Sequence, residues 1–132
     1  MVTAVDSSVL LDVVTDDPDW ADESEAALRQ AARDGRLIIS ECVLAEITPV
    51  IGADRVAEFL DDWRLGFVAS SRESSTLAGK TFARYLARGG KGGRIVPDFL
   101  IGAHAQLHAD RLLARDRGYL RDYFKPLKVW QP

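Results

Sequence analysis

Four carboxylates stand where this chain could do chemistry: Asp6, Glu46, Asp98 and Asp116. Asp6 follows the apolar run Val2–Val5, and Asp116 follows Leu112–Leu113–Ala114 by one residue, Arg115. Asp98 comes directly after Pro97 and before the apolar stretch Phe99–Ala103, while Glu46 lies in the second turn of a helix beginning after Ser40. Like charges crowded together repel, and burying them uncompensated is costly. A converging set of acids therefore calls for bound cations, and hard oxygen donors without thiolate or imidazole suit Mg²⁺ or Mn²⁺. Such an ion polarises a phosphodiester, activates water and stabilises a leaving oxygen. The plainer reading is that Asp98 only caps its helix, where the dipole favours an acid. Among 20 acidic residues, some also fall near strand ends by chance. Asp12, Asp16, Asp17, Asp110 and Asp122 occupy similar borders and are read as solvated or capping.

Convergence depends on the elements that carry the acids. Short apolar runs at Val2–Val5, Leu37–Ile39, Phe67–Ala69 and Leu112–Ala114 have the look of buried strands, with Leu127–Trp130 as a last edge strand. Helical patterns separate them: Val9–Val14, Trp20–Arg33, Ser40 to about Pro49, the stretch after Gly52 with Val56, Phe59, Leu60 and Trp63, Ser70 to Leu86, and the Asp98 helix ending near Ala109. Asp116–Tyr123 reads as a turn or short helix. Strands alternating with helices predict one α/β domain over residues 1–132, three layers deep, with a short, mainly parallel sheet of four to five strands. In such sheets sites form beyond the carboxyl ends of the strands, which is the rim where these acids would meet.

The bulk composition narrows the class. A chain of 132 residues with 47% hydrophobic and 28% charged residues suits one soluble domain with a real core. No apolar run is long enough to span a bilayer, and Met1–Asp6 has no signal-peptide pattern. Cys42 is the only cysteine, so no internal disulfide can form, and a cytoplasmic location is expected. The net charge of −3 argues against a protein whose whole surface grips nucleic acid, but not against local basic patches.

One such patch is Arg88, Lys91 and Arg94, interleaved with glycines just before Asp98, with Arg115 nearby in sequence to the fourth acid. These four are the candidates for holding the phosphates of a nucleic-acid backbone. His104 and His108 are spaced i, i+4, but the zincin glutamate position holds Ala105 and no third ligand is near, so they are read as ordinary helix-face histidines. Trp20, Trp63 and Trp130 are read as packing residues. The amphipathic helices between Trp20 and Phe67 are the candidate surface for a partner protein.

In chain order, Val5–Asp6–Ser7–Ser8–Val9–Leu10–Leu11–Asp12, Leu44–Ala45–Glu46–Ile47, Pro97–Asp98–Phe99–Leu100–Ile101–Gly102–Ala103–His104–Ala105 and Arg115–Asp116–Arg117–Gly118–Tyr119 resemble the motifs of PIN-domain nucleases, specifically VapC-type toxins of bacterial toxin–antitoxin pairs. The resemblance covers the whole chain. It implies a PIN-like fold and a Mg²⁺- or Mn²⁺-dependent endoribonuclease, held inactive by a VapB-type antitoxin and assembled as a homodimer within a larger complex. It also implies that Asp6, Glu46, Asp98 and Asp116 form the acidic site, with Asp6, Asp98 and Asp116 as metal ligands and Ser8 supporting Asp6. Two positions depart from the family pattern: Ala114 replaces a common Thr or Ser, and Gly118 replaces a common second acid. Both lie beside Asp116. They motivate an alternative reading, a catalytically weak PIN-fold module that binds RNA or a partner.

Overall fold

The computed structural model describes all residues from Met1 to Pro132. The elements run β1 (Val2–Val5), α1 (Ser7–Thr15), α2 (Ala21–Asp34), β2 (Arg36–Ile39), α3 (Glu41–Ile51), α4 (Val56–Trp63), β3 (Leu65–Phe67), α5 (Arg72–Ala87), α6 (Pro97–His108), β4 (Arg111–Leu113), α7 (Tyr119–Tyr123) and β5 (Val129–Trp130). The five strands form one sheet in the order β3-β2-β1-β4-β5. Every pairing is parallel. Central strands buried on both faces need continuous apolar runs, and β1, β2 and β4 supply them.

The chain moves outward from β1 through β2 to β3, then crosses back to β4 and β5. Right-handed crossovers place α1–α4 over one face of the sheet and α5–α7 over the other. The order reverses between β1 and β4, and an open parallel sheet has its crevice at such a point, beyond the strands' carboxyl ends. Asp6 and Asp116 both leave the sheet there. The Asp6 N–H, donating to the Leu113 carbonyl at 2.9 Å, locks the end of β1 beside the end of β4.

Two strands differ from the sequence expectation by two residues at a border. The third strand is Leu65–Phe67 rather than Phe67–Ala69, because Leu65 is the residue that enters the core whereas Phe67, on the sheet edge, is 50% exposed. The apolar run Phe67–Ala69 marks the end of that strand. The last strand contracts to Val129–Trp130. Gly102 lets α6 approach the α7 region closely, since a Cβ there would lie 2.8 Å from the Phe124 ring.

Candidate active site

Asp6 is placed by the strand-to-helix step itself. It is the N-cap of α1, in extended conformation, and its side chain accepts from the Ser8 N–H at 3.2 Å and from the Ser8 hydroxyl. Ser8 in turn accepts the Arg115 N–H at 3.2 Å, so the serine bridges the Asp6 carboxylate to the β4–α7 loop. Burial raises the Asp6 carboxyl above the ordinary range, and the Ser8 hydrogen bonds only partly oppose this.

Asp98 is not the cap of its helix. Val96 is the N-cap of α6 and Pro97 opens the helix, which leaves Asp98 in the first turn. The side chain makes no capping bond, and no hydrogen bond stabilises its charge. Its carboxyl is pushed up to about 6, first by burial and then by the charge of Asp6; Glu46 and Asp116 add to the rise and Arg117 opposes it. All four acids therefore share one electrostatic neighbourhood around Asp98. Glu46 is steadied by Ser7, whose hydroxyl donates to Glu46 Oε1 at 2.9 Å. Cys42, one turn before Glu46 on α3, feels the same field: burial and then the surrounding acids push its thiol up to about 12. It behaves as a partly buried apolar residue packed on the core.

Asp116 is occupied differently. One oxygen accepts from the N–H groups of Gly118 at 2.9 Å and Leu120 at 3.1 Å, and the other from Arg121 at 2.8 Å. The carboxylate thus organises the start of α7. Gly118 adopts φ +103°, a conformation that side-chain-bearing residues rarely take, so the acid common there in the resembled family would strain this turn. The three-ligand set expected from sequence is not assembled: no three His, Cys, Asp or Glu side chains lie close enough together to hold an ion.

A PIN-domain family profile matches residues 3–125. The chain belongs to the PIN-domain family. Solved structures agree in fold. VapBC2 from Rickettsia felis, bound to a DNA fragment from its promoter, superposes with a TM-score of 0.76 at 20% identity, covering 100% of this chain and 99% of that one. VapBC-1 from nontypeable Haemophilus influenzae gives 0.73 at 17% identity, covering 99% of this chain and 98% of that one. FitAcB from Neisseria gonorrhoeae gives 0.66 at 17% identity, covering 97% and 96%. At these identities the likeness speaks for the fold. Comparison with curated protein sequences yields no significant match.

Around the four acids, this PIN domain uses its charged residues in ways the sequence did not disclose. Asp12 is not solvated. It is only 2% exposed, and its two oxygens take the Arg115 guanidinium at 2.9 and 2.7 Å while accepting the Ser24 hydroxyl at 2.7 Å. The same guanidinium lies over the Trp20 ring, 5.0 Å from its centroid. Arg115 is therefore committed to a half-buried ion pair that ties the Asp116 loop to α1 and α2. Arg117, the next cation, is exposed and electrostatically close to Asp6 and Asp98. Asp110 accepts the Val2 N–H at 2.7 Å, fastening the start of β1.

Arg88, Lys91 and Arg94 project from the exposed segment between α5 and α6, and Arg88 lies 5.4 Å from the Tyr123 ring centroid. Gly90 in this segment packs so tightly on Tyr85 that a Cβ would overlap its ring. His104 Nε2 contacts the Val68 carbonyl at 2.7 Å, which binds α6 to the end of β3. Among the residues missed from sequence, Ser7 gave a usable signal, since it adjoins a carboxylate already singled out. The Asp12–Arg115 pair gave none, being 103 residues apart.

Proposed function

We propose that this PIN domain is a metal-dependent endoribonuclease acting as the toxin of a toxin–antitoxin pair. The observation that carries the reading is Asp98, a half-buried carboxylate with no hydrogen-bond partner, pushed up to about 6 by burial and by its neighbour Asp6. A chain accepts that cost where a cation will offset it. Two hard carboxylates with excess negative charge fit an ion that retains several waters, as Mg²⁺ or Mn²⁺ does. Held by Asp6 and Asp98, such an ion supplies Lewis-acid stabilisation of the phosphodiester and its leaving oxygen.

The chain's own groups do the rest. Ser8 fixes Asp6, and Ser7 fixes Glu46 so that it orients the attacking water. Asp116 adds charge to the rim while building α7, its two oxygens holding the N–H groups of Gly118, Leu120 and Arg121. Arg88, Lys91 and Arg94, on the segment leading into Asp98, hold RNA phosphates. Arg115 positions the loop, and Arg117 is the freer cation for substrate. The VapBC likenesses support a VapB-type antitoxin as partner, and homodimerisation and a cytoplasmic location belong to the same reading.

Cleavage of mixed cellular RNA by partner-free wild type and Asp98→Asn tests this. Cuts that require Mg²⁺ or Mn²⁺, stop with EDTA and vanish in Asp98→Asn are expected. The engaged Asp116 favours one second reading, a PIN module that binds RNA without cutting it. Tight RNA binding by wild type, with no cleavage in either metal, selects that reading instead.

A further inference from the structure

Arginines, not acids, line the largest cavity. It is a recess of about 580 Å³ at the amino end of β2, between α2 and the end of α4. Arg29, Arg33, Arg36 and Arg64 surround it with Trp63, and Asp62 is its one acid. In a chain of net charge −3 the sign is locally reversed. Little of this charge is neutralised. Arg29 has Glu25 at 3.3 Å, and Arg33 donates to the Gln30 amide oxygen at 2.6 Å. Arg36 and Arg64 have no carboxylate within ion-pair distance.

Local structure holds these cations where mutual repulsion would spread them. The parallel register pairs Leu37 with Leu65, and one step back it sets Arg36 beside Arg64. Like charges on neighbouring strands destabilise a sheet. Glycine inside a strand also weakens it and often marks a close approach, and Gly66 on β3 does so here. A Cβ at Gly66 would lie 3.1 Å from Arg36 Nη2 and 3.4 Å from its Nε, so the glycine leaves room for the guanidinium against the strand. Arg64 caps the carboxyl end of α4 with φ +53° and ψ +42°, a left-handed position that usually falls to glycine or asparagine. The helix dipole would be met as well by a cation in the last turn on ordinary backbone. The left-handed cap instead sets Arg64 on the wall of the recess. Arg29 lies over the Trp63 ring, 5.0 Å from its centroid, and stacking of this kind fixes a guanidinium while its N–H edges stay free for oxygen acceptors.

Fixed guanidinium forks gathered around one concavity suit phosphate oxygens. The volume falls within the roughly 300–1,000 Å³ of small-ligand sites. A phosphodiester backbone spreads one charge per nucleotide along a track, whereas contiguous phosphates bring several charges to one place. We propose that the recess binds a compact polyphosphate, either the phosphate chain of a nucleotide or free polyphosphate. Arg36 and Arg64 hold it at the strand ends, and Arg29 and Arg33 hold it from α2. The site lies at the opposite end of the sheet from Asp6 and Asp98, and it does not depend on the nuclease reading.

Isothermal titration calorimetry in EDTA at matched ionic strength tests this with inorganic tripolyphosphate, ATP, oligouridylate and sulfate. Wild type is compared with Arg36→Gln and Arg64→Gly. Glycine suits the left-handed backbone, so Arg64→Gly keeps the fold while removing the charge, and thermal melting confirms both variants. Tripolyphosphate is expected to bind wild type once per chain and at least about tenfold more tightly than sulfate, and each variant to weaken it about tenfold. ATP binding more tightly than tripolyphosphate identifies a nucleotide as the source, and equal or weaker binding identifies the phosphate chain alone. The inference is overturned if sulfate matches both triphosphates, if neither triphosphate binds, or if the variants bind them as wild type does. It is also overturned if oligouridylate alone responds to the two substitutions, since the recess then takes a nucleic-acid backbone.

Discussion

At the scale of single residues, Asp98 sets the pH behaviour. Its folded carboxyl, raised to about 6, lies above the ordinary aspartate range, so protonation stabilises the folded chain. That contribution is complete below the unfolded value near 4 and is lost as pH rises through about 6. Metal-free protein should therefore lose stability between about pH 4 and 7, the reverse of what ion-paired carboxylates give. Asp98→Asn should reduce this slope to the part contributed by the raised Asp6 carboxyl, and stabilise the EDTA-treated protein near pH 7.5 by about 1–2 kcal/mol, after discounting for partial exposure. Thermal melts at both ends of that range check it, and a destabilised Asp98→Asn would return Asp98 to a structural role. Arg115 predicts the opposite sign. Removing its guanidinium leaves Asp12 buried with only Ser24, so Arg115→Gln should cost about 2–4 kcal/mol by urea denaturation. A loss under 0.5 kcal/mol, the range of ordinary surface substitutions, would show that the pair is solvated in solution.

At the scale of elements, what was legible in the sequence is what short-range pattern controls. The apolar runs gave the strands, and Pro97 marked the start of α6, where Asp98 falls in the first turn. Side-chain purpose was harder to see, because it depends on partners far away in the chain. Asp12 has the composition of a solvated helix residue, yet Arg115, 103 positions later, makes it a buried anchor. Asp116 sits at a strand end like a ligand, while the αL turn at Gly118 folds three N–H groups back onto it. Gly102, at the close approach of α6 to Phe124 and Leu120, supports a prediction about α6 and α7. Alanine usually stabilises a helix interior by about 1 kcal/mol over glycine. Here the added methyl would lie 2.8 Å from Phe124 and 2.9 Å from the Leu120 side chain. Gly102→Ala should therefore destabilise by about 1–3 kcal/mol. Increased stability on chemical denaturation would mean that α7 moves freely enough to relieve the clash.

At the scale of the whole molecule, the topology separates two charged regions. The acids gather at the carboxyl ends of β1 and β4, where the strand order reverses, while Arg29, Arg33, Arg36 and Arg64 line a recess at the amino end of β2. Stability should then be linked to divalent cations through the acidic end alone. An ion that binds only the folded chain, supplied at about ten times its dissociation constant, adds roughly 1.4 kcal/mol. For a domain of 132 residues that is a rise in Tm of about 5 °C. Asp6→Asn and Asp98→Asn should each abolish the rise. Asp116→Asn separates the two roles open to that residue. If Asp116 chiefly organises α7, the variant melts lower with and without Mg²⁺ but keeps the increment, because Asp6 and Asp98 still hold the ion. If Asp116 is a full ligand, the increment disappears with it. Differential scanning calorimetry at matched ionic strength distinguishes these outcomes, since nonspecific screening by the salt acts alike on all four proteins.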